Sequence, residues 1–341
     1  MGRGTTASVT PLRKPALTLT AVLSLGLMAL AFGAVMVGPY GLTPTQTLMA
    51  LMGRGDAQAD IVIWSIRLPR VGAALVVGAA LAAAGATYQA LFRNPLVSPD
   101  ILGVSAGAGL GAVAGIFLSL PVAAIQASAF VGGMCAVGFV TLVASLVRNT
   151  DRTLTLVLIG VVIGALAGAA TSLLKVMADP YDQLPAITFW LLGSLAAITA
   201  EDIQPALPMV VIGLVPLVLL RWRINVLSLG DEEARALGVD VTRTRFLVIA
   251  AATLITASVT ALAGVVGWVG LVIPHIARML VGPGFGRVLP TSVLIGAGYL
   301  LIVDTLARSM AQVEVPLGIL TAVIGAPFFV WLLARGQRGW S

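Results

Sequence analysis

Histidine and cysteine are almost missing from this chain of 341 residues, with one of each, His275 and Cys135. A single cysteine excludes a disulfide framework and a thiolate metal site, and a single histidine excludes an HExxH arrangement or a His-rich cluster. Cys135 sits in the apolar run VGGMCAVGFV, where it reads as small core packing. Charge is also scarce. Twenty basic and 14 acidic residues make 10% of the chain, where a soluble domain carries about a quarter. The net charge of +6 is not gathered into a basic stripe interleaved with aromatics, which excludes a nucleic-acid surface. There is no GxxxxGK[ST] phosphate loop, and no cofactor is expected in this chain. No paired carboxylates, and no nucleophile with its base, share a helix face, which argues against an intramembrane enzyme.

What is present is apolar surface: 59% of residues are hydrophobic and the mean hydropathy is +1.04. At roughly 20 apolar residues per membrane-spanning helix, that content fills about ten helices and leaves little for a soluble domain. Cutting the runs at charges, prolines and glycines gives spans at 17–37, 69–91, 101–119, 122–147, 154–177, 204–220, 246–266, 271–282, 288–307 and 316–334. The twelve residues of 271–282 are too few to cross alone and read as a half-helix buried in protein. The expected fold class is therefore an all-α polytopic membrane protein of about ten helices, one domain over 1–341, with a tail at 1–16 and a polar loop at 221–245. The first run is longer than a signal-peptide core, so it is kept as a helix. With both termini in the cytoplasm, fifteen basic residues fall on the inner side and five (Arg54, Arg67, Arg70, Lys175 and Arg308) on the outer side, as the positive-inside rule requires.

Glycine recurs every fourth residue at Gly103, Gly107, Gly111 and Gly115, and again at Gly160, Gly164 and Gly168. Each set makes a smooth stripe on which another backbone can come close, and this places both helices in the middle of a tight bundle. Arg67 and Arg70 precede a long helix ending in the broken piece RNPLVSPDILGVSAGAG; Arg243 and Arg245 precede another ending in GWVGLVIPHIARMLVG. The two begin on opposite sides, so an inverted repeat with interrupted helices at matching places is expected. In the polar stretch 221–245, Leu227, Ala234, Leu237 and Val239 alternate with charges. Gly230 and Gly238 punctuate two short amphipathic helices, and Asp231, Glu232 and Glu233 suit a helix N-terminus.

Four elements taken together carry a resemblance: RLPR with QALFRNPLVSPDILGVSAGAG, then SLGDEEARALGVDV, then GLVIPHIARMLVG, then EVPLGILTAVIGAPFFVWLL. In this order, from about residue 64 to 334, they resemble the FecCD-type permease family of iron-siderophore, haem and vitamin B12 importers. The resemblance implies the transmembrane subunit of a type II ATP-driven (ABC) importer in the inner, cytoplasmic membrane. It implies a homodimer or a dimer with a close paralogue, two cytoplasmic ATPase subunits that bind ATP and magnesium, and a periplasmic or lipid-anchored binding protein. It also implies that Leu229, Gly230, Asp231, Glu232, Glu233, Arg235, Leu237 and Gly238 form the surface seated on the ATPase. By the same resemblance Arg67 and Arg70, with Arg308 beside them, dock the binding protein. Asn94 and Leu96, with Thr153 and Leu154, would form the cytoplasmic gate.

From the residues alone, other readings stand beside these. Arg67 and Arg70 could be snorkelling interface anchors, and Asp304 could hold Arg308 one turn away. His275, next to Pro274, could be a haem ligand, but is expected to bond backbone freed by the proline or to pack against the polar loop. A proton- or sodium-coupled secondary transporter is the rival class; it needs ionisable groups at membrane depth, and here Asp304, Lys175 and Arg278 all lie near span ends. The cargo expected first is an iron(III)-siderophore, with haem or a corrinoid as alternatives.

Overall fold

The computed structural model describes residues 14–147, 152–310 and 313–334, and among them it is all helix and turn. Helix α1 (Lys14–Met36) leads into two short helices, α2 (Pro44–Leu51) and α3 (Ala57–Asp60), and a π-helical stretch, Ile61–Arg67, that runs unbroken into α4 (Leu68–Leu91). Then come α5 (Val104–Phe117), α6 (Val122–Leu146), α7 (Arg152–Met177), α8 (Gln183–Leu192) and α9 (Ala200–Leu219). The pair α10 (Arg221–Leu227) and α11 (Asp231–Ala236) precedes α12 (Val241–Ala263), α13 (Val269–Val281), α14 (Phe285–Ala307) and α15 (Leu317–Ala334).

Among the described residues seven helices are long and apolar enough to cross a membrane, and α5, α8, α13 and α15 are shorter. Taking α5, α13 and α15 with the seven gives the ten expected segments. Helix α8 was not anticipated: the run 154–177 was followed directly by 204–220, and the ten residues QLPAITFWLL between them form a half-helix. The second span also begins earlier than 69, because the π-helical stretch and α3 extend it back to Ala57. Local start signals are in place where α2 and α9 begin. Thr43 with Gln46, and Thr199 with Asp202, form reciprocal capping boxes that satisfy orphan N–H groups.

The centre is made by α4 and α12, whose alanine-rich and β-branched sequences let backbones approach from every side. Helix α4 packs on α13 and α14, α12 packs on α5 and α6, and the two pack on each other. That reciprocity, each long helix followed by a break and a half-length helix, is the architecture of an inverted repeat. The break after α12 runs through Gly264 and Trp268, at φ +72° and +70°. Non-helical backbone inside an apolar body must find partners within the protein. Here Ser194 N–H bonds the Ala263 carbonyl and Leu317 N–H bonds that of Gly193, both at 2.9 Å.

The two glycine stripes have different fates. In α5, Gly107 and Gly111 lie against the backbone of Gly132 and Ser128 in α6, as a central position requires. Gly103 is not on that stripe but caps the helix at φ +77°. In α7, Gly160 meets the carbonyl of Ile101, but a Cβ on Gly164 or Gly168 would meet nothing within 4 Å. Few residues of α7 are buried, so the expectation that it lies in the middle of the bundle does not hold for the single chain. A stripe of glycine makes a smooth surface; it does not determine what covers it.

Candidate functional site: a platform, a gate turn and a buried charge network

The α10–α11 pair closes one end of the bundle. Ile224, Val226, Leu227, Ala234 and Val239 are buried beneath it. Two polar ties fix its position. The Asn225 side-chain oxygen accepts the Phe285 N–H at 3.1 Å, joining α10 to the start of α14. Arg245 donates to Asp231 at 2.8 Å, joining α11 to α12. Helix α11 starts on Asp231, Glu232 and Glu233, where carboxylates face the positive end of the helix dipole. It ends at Gly238, at φ +79°. Of the apolar residues expected to alternate inward, Leu237 points out at 53% exposure. Leu229 at 62% and Trp222 at 58% are exposed as well, on the same helix pair that exposes Glu232, Glu233 and Arg235. Trp222 was missed; its signal was an aromatic between two arginines immediately after an apolar span. A rigid, charged rim around exposed apolar anchors is suited to binding another protein. Placing valine at Gly238 would force a β-branched residue into the left-handed region, at about 1–2 kcal/mol. The expected result is loss of transport with ATPase activity retained, read in reconstituted vesicles.

At the same end lie the four residues expected to form a gate. Helix α4 finishes in the turn that carries Asn94 and Leu96, where the Asn94 side chain accepts the Leu96 N–H at 2.9 Å and Leu96 is exposed. Thr153 and Leu154 form the first turn of α7, with Leu154 exposed. The turn Pro99–Leu102 that follows the first pair packs on α7 at Gly160, further along the helix from the second pair. His275, on α13, is half-buried with its Nδ1 unpartnered, so that nitrogen does not make the expected bond to backbone freed by Pro274.

The opposite end holds the three arginines expected to dock a partner, and their geometry corrects that expectation. Arg67 is 2% exposed. Its guanidinium donates to the carbonyls of Val35 (2.8 Å), Met36 (3.3 Å) and Tyr40 (2.6 Å), closing the C-terminus of α1, whose last carbonyls have no helical partner. Gly38 leaves room for it; a Cβ there would sit 3.0 Å from Arg67 Nε. Arg70 bridges Asp304 through Nε (2.9 Å) and grips Glu314 with both terminal nitrogens (2.7 and 2.9 Å). Arg308 donates to the Ala34 carbonyl at 2.6 Å and lies 3.7 Å from Asp304. The three guanidinium groups therefore stitch α1, α4, α14 and the approach to α15 together. They are neither presented to solvent nor snorkelling, because the chain's own carbonyls and carboxylates surround them.

The fold is that of a polytopic membrane protein with an exposed, charged helix pair at one end. The chain belongs to the FecCD transport family, whose profile matches residues 26–335. It is 39% identical over 95% of its length to the molybdate import permease MolB of Haemophilus influenzae, covering 94% of that protein. It is 45% identical to the cobalamin import permease BtuC of Halobacterium salinarum over 81% of this chain and 74% of that one. It is 42% identical to the Fe(3+) dicitrate permease FecD of Escherichia coli, over 80% and 85%. A metal-chelate type ABC transporter solved in an inward-facing conformation superposes with a TM-score of 0.86 at 38% identity, over 94% of this chain and 99% of that chain. The fold is that of type II ABC importer permeases, and the protein is a permease subunit of an ABC importer of the metal-chelate type, integral to the inner membrane.

Proposed function

We propose that this permease carries an iron(III)-siderophore, driven by two ATPase subunits seated on α10–α11. The observation that carries the attachment is the platform itself: Trp222, Leu229 and Leu237 exposed on a pair of helices pinned to α12 and α14. On this reading the platform end faces the cytoplasm, a cargo-binding protein docks at the end that holds Arg70 and Glu314, and Asn94, Leu96, Thr153 and Leu154 line the inner gate. A second copy or a close paralogue covers the exposed face of α7. Iron is favoured because iron-chelate permeases recur among the relatives, FecD of Escherichia coli among them; the cobalamin and molybdate permeases mark the alternatives.

The test is uptake into reconstituted vesicles holding the permease, its ATPase and the binding protein encoded beside it. A ferric siderophore is expected to enter with ATP and to stop when ATP is withdrawn while a proton gradient is kept. Uptake that follows the gradient would make it a secondary transporter, and stimulation by a corrinoid, haem or molybdate in place of the siderophore would reassign the cargo. A reporter fused near Asp182 is expected outside and one fused after Arg148, which lies outside the described residues, inside.

A further inference from the structure

Four helices among those described end in the same hydrogen-bonded turn, with the residue after the cap in the left-handed region. For α4 the bonds run from Arg93 N–H to Ala90 and from Asn94 N–H to Gln89 (3.3 and 3.1 Å). For α11 they run from Gly238 to Arg235 and from Val239 to Ala234, both at 2.9 Å. Helices α2 and α5 close in the same way at Gly53 and Ser119. Glycine is the favoured residue at this position because a Cβ is strained there. Two helices do use glycine. Ser119, at φ +53°, has a use for its side chain, which accepts from Gln183 at 3.4 Å. Arg93, at φ +50°, is the bulkiest of the four, and the same logic asks what its side chain is for.

Its guanidinium reaches the platform. Nη1 of Arg93 lies 3.6 Å from the point where a Cβ on Gly230 would sit, and the Glu233 carboxylate crowds that same point. Gly230 is thus the gap through which a cation from the gate turn and an anion from α11 approach each other. No closed ion pair joins them in this conformation among the described residues, and both side chains are exposed. In open water such a pair contributes little, but a protein seated on the platform would remove that water and strengthen the attraction.

We infer that Arg93 is a positioning residue that links ATPase engagement to the gate: when the ATPase presses on α10–α11, Glu233 closes on Arg93 and moves the Asn94–Leu96 turn with it. This rests on the proposed seating of the ATPase. The decisive variant is Arg93→Gly, which places the favoured residue in the strained turn. The folded chain is expected to be at least as stable as the parent and to keep its ATPase. Cargo moved per ATP hydrolysed should fall by about fivefold or more, the low end of couplings between distinct sites. Arg93→Lys should keep part of the coupling, and Arg93→Glu combined with Glu233→Arg should recover part of what Arg93→Glu loses. Normal transport per ATP in Arg93→Gly overturns the inference, and so does loss of the ATPase from that variant. A cross-link from Leu229→Cys to the ATPase, made in a Cys135→Ala background because Cys135 is exposed, separates the two readings. If the cross-link forms and Arg93→Gly transports normally, only the role of Arg93 falls. If an active importer gives no cross-link, the seating falls and takes this inference with it.

Discussion

Asp304→Ala is expected to destabilise the protein by roughly 3–5 kcal/mol, the range for removing one partner of a buried charge network. Asp304 is 0% exposed and is the only carboxylate among the described residues that lies between Arg70 and Arg308. Without it Arg308 keeps only the Ala34 carbonyl and the Thr305 hydroxyl as partners, and Arg70 keeps Glu314. At about 2–4 °C per kcal/mol for chains of roughly 150–250 residues, and less for a longer one, the melting temperature in detergent should drop by up to ~10 °C. The neighbouring anion gives the control. The Glu314 side chain is 36% exposed, so Glu314→Gln gives up an interaction that water already screens and is expected to cost no more than ~1 kcal/mol. Replacing both partners of the buried pair, with Arg70→Met and Asp304→Leu, should recover much of the lost stability because no unpaired charge remains. Equal melting temperatures for Asp304→Ala and the parent would mean that the network does not hold α4 to α14. The same geometry changes the meaning of a charge reversal at Arg67. A carboxylate placed among the carbonyls of Val35, Met36 and Tyr40 faces only acceptors, so Arg67→Glu reports on folding before it reports on any docking partner.

The contrast between the two ends of the molecule follows the range of the signals. The α10–α11 pair was legible because every feature of it is local: a glycine on either side of DEEARAL, acids at its start, and apolar residues spaced within a dozen positions. The arginines were legible only as arginines. Their partners are set by tertiary structure, with Arg70 and Asp304 234 residues apart in the chain and Arg67 reaching back 32 residues to Val35. Only the one-turn neighbour Asp304 of Arg308 could be seen in sequence, and at 3.7 Å it is longer than either ion pair of Arg70. Helix α8 escaped for a related reason. Ten residues are too few to register as a span, and α8 is held by α5 along its length and at its end by the broken backbone after α12, the latter visible only as a pair of glycines. Spacing of four picked out Gly107 and Gly111 of α5, but it passed over comparably close crossings made by glycines that do not repeat at that interval.

Those crossings give the other large effect. Gly78 on α4 faces Gly296 on α14 so closely that a Cβ on either would collide with the carbonyl oxygen of the other, and a Cβ on Gly78 would also sit 2.8 Å from Leu300 Cβ. A flexible side chain could swing away from such a contact; two helix backbones cannot. Overfilled cores usually lose ~1–3 kcal/mol. Gly78→Val is expected to exceed that range, because α4 is central and moving it disturbs α13 and α12 as well. The measurable outcome is loss of folded, monodisperse protein on size exclusion. Gly164→Val is the matched comparison. Nothing lies within 4 Å of its Cβ position, and valine is a better helix former than glycine, so the single chain should fold as well as the parent. Its effect should appear only in assembly. If a second subunit covers the smooth face of α7, the added methyls hold the two backbones apart and the dimer fraction measured by native mass spectrometry falls. A Gly78→Val protein that folds normally would refute the close crossing. A Gly164→Val protein that dimerises normally would place the subunit interface on another face and leave α7 to the lipid.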